Sequence, residues 1–159
     1  MVDIIDIRDS FGRRLRMLMA EEKVRSSDVA RYCQMSVNTV YDCRNGVRLP
    51  NPWQMVLLAE YFDCSVNELL GFQVVEDINR TRASRMFPGE NHFAEYVANR
   101  IIQRTYEKDI TIEEISQCTG IGANTIRQSL CRWPKLPKMA YVIFIADALD
   151  CTPSDLLGY

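Results

Sequence analysis

Histidine is almost missing from this chain, with His92 the only one in 159 residues. Nucleophilic and metal-assisted catalysis draw heavily on imidazole, so the sequence reads as a non-enzyme that needs no cofactor. The six cysteines, at 33, 43, 64, 118, 131 and 151, never form a Cys-x-x-Cys pair. They are expected to be small buried hydrophobes of a cytoplasmic protein rather than zinc ligands. A long apolar run is missing too. The longest, MAYVIFIADAL at 139–149, is broken by Asp147 and falls short of the ~20 residues of a membrane span. The start, MVDIIDIRDSFGRR, lacks the basic-then-apolar order of a secretory leader. Nor does one charge dominate: 19 Lys+Arg face 21 Asp+Glu, a net −2. Affinity for a polyanion must therefore come from where charge is placed, not from how much there is.

What is present is apolar material, 47% of residues, arranged as a repeat. LAEYFDCSVNELLG (58–71) and IADALDCTPSDLLG (145–158) agree at six of fourteen positions, where chance gives about one. The correspondence continues at a shift of 86 or 87 residues through Leu-Pro at 49–50 and 136–137, and through Asn-Thr-Val at 38–40 and Asn-Thr-Ile at 124–126. It reaches Arg-Leu at 14–15 and Arg-Ile at 100–101. Two units are expected, 1–71 and 92–159, joined by a linker at 72–91.

Each unit reads as short helices, because period-2 alternation is absent and capping signals recur. Ser65 with Glu68 and Thr111 with Glu114 have the spacing of a reciprocal cap, and Thr152-Pro153-x-Asp155 is a similar start. Phe11, Leu15 and Leu18 predict a helix over about 7–22, followed by helices near 27–33, 37–45, 52–62 and 66–70, and then the same order again. Trp53 and Trp133, each near proline, are expected to pack in the core or at a hinge.

In SSDVARYCQMSVNTVYDCRNGVRLP (26–50), a short helix, a four-residue turn and a second helix follow one another, with small Ala30 at the expected crossing. That is a helix-turn-helix layout. These residues, with the closing LAEYFDCSVNELLG, resemble the Cro/CI phage-repressor family of DNA-binding domains, over about 7–71 and more loosely over about 92–159. The resemblance implies an all-α fold of two tandem five-helix, lambda-repressor-like domains. The chain departs from the family pattern at Gln34, where the turn usually has glycine, as at Gly120. It departs again at Arg132, opposite Gly46, at Arg44 and Leu130, where Glu is frequent, and at Ser116, opposite Ala30.

At 100° per residue, Val40 and Cys43 share the inner side of the second motif helix, with Val37 at its edge. Asn38, Tyr41, Asp42 and Asn45 lie opposite. In the other unit Ala123, Ile126 and Ser129 face in, and Asn124, Arg127 and Gln128 face out. Asn and Gln pair bidentately with adenine and Arg with guanine in the major groove. Ser26, Ser36, Thr39 and Thr125 are candidate phosphate donors, and Arg44, Arg48, Arg132 and Lys135 supply charge beyond the helix. The candidate DNA contacts are thus Ser26, Ser36, Val37, Asn38, Thr39, Tyr41, Asp42, Arg44, Arg48, Asn124, Thr125, Arg127, Gln128, Arg132 and Lys135. RTRASR (80–85) is a candidate groove-following arm and VVEDI a candidate helix extension.

The expected partner is double-stranded DNA, read by a sequence-specific transcriptional regulator of the repressor type found in phages and mobile elements. A homodimer, or a protein partner held through one unit, is left open. The competing expectation is a protein-interaction module on the same scaffold, such as an antitoxin or a phage-encoded inhibitor of a host defence nuclease.

Overall fold

The computed structural model describes residues 2–72 and 86–159, so the arm and helix-extension candidates lie outside the described residues. The first unit is α1 (Ile4–Glu21), α2 (Ser26–Tyr32), α3 (Val37–Arg44), α4 (Pro52–Tyr61) and α5 (Val66–Leu70). The second repeats the order as α6 (Glu90–Lys108), α7 (Ile112–Thr119), α8 (Ala123–Leu130), α9 (Met139–Ala148) and α10 (Pro153–Leu157). No strand occurs among the described residues, and none of their helices is long and apolar enough to cross a membrane.

Local chemistry sets the helix limits. α1 begins three residues earlier than its apolar spacing predicts because the Asp3 carboxylate accepts from Ile5 N–H at 2.8 Å. Its buried stripe is Ile7, Phe11, Leu15 and Met19, the i, i+4 spacing of a single face. The three reciprocal caps form as expected: Ser65 with Glu68, Thr111 with Glu114, and Thr152 with Asp155.

Backbone conformation repeats with the sequence. Left-handed residues recur at equivalent points, Lys23 and Asp109, Asp63 and Asp150, Gln34 and Gly120, Gly71 and Gly158. The core repeats as well. Phe11, Leu15, Val29, Val40 and Leu69 are matched by Val97, Ile101, Ile115, Ile126 and Leu156, all fully buried or nearly so. One contiguous core runs through both units.

The cysteines divide by unit. Cys33, Cys43 and Cys64 are buried as expected, and burial pushes the Cys33 and Cys43 thiols up to about 12. Cys118 and Cys131 are exposed, which overturns the expectation for them, and Cys151 is half-buried. Cys118 stands where the first unit has half-exposed Tyr32, and Cys131 where it has exposed Asn45, so neither position faces the core.

Candidate nucleic-acid interface

α2 and α3 pack on each other, and α3 also packs on α1. The contact is close at Gly12, where an added Cβ would lie 2.8 Å from the Arg44 carbonyl oxygen. α3 is seated by Val40 and Cys43, both fully buried. Ser36 caps it, accepting from Thr39 N–H at 3.1 Å, and its hydroxyl also meets the Thr39 hydroxyl at 2.9 Å. The outer side presents Asn38, Tyr41 and Asn45, with Val37 at its edge 38% exposed and Asp42 half-buried.

A cavity of about 510 Å³ opens between the end of α1, the start of α2 and the face of α3. Arg16, Arg25, Ser26, Val37, Tyr41 and Arg44 are among its lining residues. Arg44 donates to the Ser26 hydroxyl at 3.1 Å, and its guanidinium lies 5.8 Å from the centre of the Tyr41 ring. Arg16 in turn donates to the Arg44 carbonyl oxygen. Ser26 is therefore buried and already engaged, and its hydroxyl holds Arg44 instead of reaching outward. Arg16 on α1 and Arg25 just before α2 are not among the residues expected from the sequence, because only the fold brings them to Arg44. The signal was a spacing across helices, which one-helix periodicity does not carry.

The second unit keeps the scaffold and changes the charge. Ile126 and Ser129 are buried beneath α8, while Asn124, Thr125, Arg127 and Gln128 are exposed. Arg127 pairs with Glu113 at the start of α7 and donates to the Asn124 side-chain oxygen at 3.3 Å. Exposed pairs of this kind contribute at most about 1 kcal/mol, so the guanidinium is guided more than held. The equivalents of Arg16, Arg25 and Arg44 are Ile102, Thr111 and Leu130, and Glu113 replaces Ser27. The second unit thus carries no counterpart of the arginine group.

The helix ends differ as well. After α3 the chain turns through left-handed Gly46, whereas after α8 Cys131 is extended and Arg132 follows. Trp133, expected to pack in the core or at a hinge, is instead 77% exposed, with the Arg132 guanidinium 5.8 Å from its ring centre. Trp53 is buried as expected. Arg48 and Lys135 are exposed at equivalent positions beyond the two helices.

Gln34 has a physical reason for standing where glycine is usual. Its backbone is left-handed, φ +56, which costs a non-glycine residue roughly 1–2 kcal/mol. In exchange its side-chain oxygen accepts the buried Trp53 indole N–H at 3.2 Å. In the second unit Ala140 takes the place of Trp53, no indole needs an acceptor, and Gly120 fills the turn.

A search of curated proteins finds no match. A family model does match, twice: that of the Cro/C1-type HTH DNA-binding domain, over residues 14–74 and 100–159. The two matches together take in most of the chain and fall on the two helical units, so the protein belongs to the Cro/C1-type helix-turn-helix DNA-binding family and carries its domain in two tandem copies.

Proposed function

We propose that the chain is a sequence-specific transcriptional regulator, a repressor of the kind carried by phages and mobile elements, acting in the cytoplasm on double-stranded DNA. Residues 1–71 and 92–159 are its two DNA-facing units and 72–91 its linker. The observation that carries this reading is the pair of exposed polar stripes, Asn38, Tyr41 and Asn45 on α3 and Asn124, Arg127 and Gln128 on α8, each above a buried apolar anchor. Asn38, Asn124 and Gln128 suit adenine and Arg127 suits guanine. Thr39, Thr125 and Ser36 fit phosphate oxygens, and the Arg16, Arg25 and Arg44 group offers the first unit a backbone anchor. Selection of binding sites from random duplexes with the purified chain tests this. A strong motif is the expected result, and no enrichment would overturn it.

A second reading has one observation in its favour. Exposed Trp133 flanks a cavity of about 440 Å³ with Glu95, Asn99, Leu130 and Arg132, a combination of aromatic and charged groups suited to a protein partner. On that reading the second unit binds a protein, as an antitoxin or an inhibitor of a defence nuclease would. If Trp133→Ala and Arg127→Ala both leave a selected DNA motif unchanged, the second unit is left to this role.

A further inference from the structure

We propose that this chain is its own dimer: the second unit fills the place of a partner subunit, so one chain covers one bipartite duplex site whose halves differ in sequence. The inference rests on the DNA-reading function proposed above, applied to both α3 and α8.

The first observation is a reciprocal contact between equivalent residues. Asn67 and Ser154 stand 87 residues apart at the same point of the repeat. Asn67 N–H donates to the Ser154 hydroxyl oxygen at 3.0 Å, and Ser154 N–H donates to the Asn67 side-chain oxygen at 3.1 Å. Both residues are buried. A contact in which i meets j and j meets i marks a twofold interface between two copies of one surface. Here both surfaces belong to one chain.

One of the backbone bonds between the units lacks its mirror image for a covalent reason. Val66 N–H donates to the Tyr159 carbonyl at 2.8 Å. Its mirror image would need an N–H at the equivalent of Val66, which is Pro153 and has none.

A second set of contacts agrees. Asn51, the N-cap of α4, donates to the side chain of Glu90, the first residue of α6, at 3.4 Å. The equivalents of that pair are Lys138, the N-cap of α9, and Ile4, the first residue of α1, and both line one cavity together with Asn51. The Trp53 and Phe93 rings also meet across the units, tilted, with centres 5.3 Å apart, a contact whose equivalents are Ala140 and Ile7.

Two consequences follow. α5 and α10 already pack on each other, with Val66, Asn67, Ser154 and Tyr159 buried at their contact, so this contact is not free to recruit a second copy. Equivalent points lie at one height along a twofold axis, so the proposed symmetry sets α3 and α8 level with each other on either side of it. The segments leaving them lead to the neighbouring N-caps Asn51 and Lys138. A symmetric homodimer would read the same half-site twice, whereas this chain offers Tyr41 and Asp42 on one side where it offers Arg127 and Gln128 on the other.

The test uses the full chain and the duplex it selects from a random library. Sedimentation equilibrium above the dissociation constant is expected to give one chain per duplex. The selected motif should hold two unlike half-sites in fixed order. Inverting one half-site, or inserting about five base pairs between them, should lower affinity at least about tenfold, since either change mispairs a reading helix. Selective binding with two chains on a palindrome, or to a single half-site that tolerates any spacing, overturns the internal dimer and leaves the DNA-reading function standing. The absence of any selected motif overturns both.

Discussion

The two units share a skeleton and differ in what they offer a polyanion. Around α2 and α3 the first unit groups Arg16, Arg25 and Arg44, and at the same points the second has Ile102, Thr111 and Leu130, with Glu113 beside Arg127. Core positions, the left-handed turns at Lys23, Gln34, Asp63 and Gly71 and the cap of α5 are meanwhile kept in both. The lesson is that packing constrains the inner side of each helix whatever the outer side does, so a duplicated fold can specialise its two faces separately. On this comparison we propose that the first unit serves as the backbone anchor and the second as the richer base reader.

The largest expected effect tests whether the halves are energetically one body. Leu69 and Leu156 are equivalent and fully buried, and they belong to one core. Leu69→Ala and Leu156→Ala should each cost about 2–5 kcal/mol, and each should lower a single calorimetric transition. Two transitions, with each variant moving only its own, would make the shared core a mere contact between independent domains.

Next comes the division of labour on DNA. Arg127→Ala should cost on the order of 1–3 kcal/mol and relax preference at one base position, as loss of a bidentate guanine contact would. Arg44→Leu, which gives the first unit the second unit's residue, should instead weaken binding to all sequences alike. It should also reduce the log–log salt slope by about 0.9, one phosphate's share. Gln103→Ala, an exposed change on α6, serves as the control. Arg100 would not serve, because it donates to the Asp155 carbonyl at 2.9 Å and so ties α6 to α10. If Arg127→Ala acts as a uniform loss and Arg44→Leu shifts base preference, the roles are reversed.

Much of this was legible in the sequence, for identifiable reasons. Helix periodicity finds the inner sides, and so Val40, Cys43, Ile126 and Ser129 are placed correctly from spacing alone. Capping residues act over three positions, and so Ser65, Thr111 and Thr152 are found too. Tertiary pairings were not legible: the Ser26 hydroxyl turned toward Arg44, the Glu113 partner of Arg127, and the reciprocal bonds of Asn67 and Ser154 all join residues that no local pattern connects. Trp133 was misplaced because aromatic bulk near a proline does not reveal whether the chain beyond the helix turns inward, and after α8 it is extended at Cys131.

A smaller effect probes the turn where the units diverge. Gln34→Gly removes a left-handed strain of roughly 1–2 kcal/mol but takes away the acceptor of the buried Trp53 indole, a loss of about 1–3 kcal/mol. The two offset each other, so the single variant should stay within about 2 kcal/mol of the parent. In a Trp53→Phe background no indole remains, and the same change should then stabilise. A double-mutant cycle in chemical denaturation reads the difference as an interaction energy. An energy near zero would leave the choice of Gln34 over glycine without this explanation.

The smallest effect compares two carboxylates that cap equivalent helices, half-buried Asp28 on α2 and exposed Glu114 on α7. The Arg25 backbone N–H, followed by its guanidinium, holds the Asp28 carboxyl below its ordinary range. The Thr111 backbone N–H and then its hydroxyl do the same for Glu114. A carboxyl depressed in the folded state stabilises above its unfolded value and loses that contribution as pH falls through the folded one. Stability should therefore decline on acidification through this range, and Asp28→Asn and Glu114→Gln should each flatten part of the decline. Salt distinguishes them. The Asp28 contribution includes an exposed ion pair with Arg25 and should weaken at high ionic strength, whereas the Glu114 cap rests on neutral donors and should change less. Thermal unfolding of the two variants across pH, at low and high salt, measures both. Equal salt sensitivity would mean that the Arg25 guanidinium adds nothing to the first unit's cap beyond the backbone N–H, and that at this position the two units are electrostatically alike.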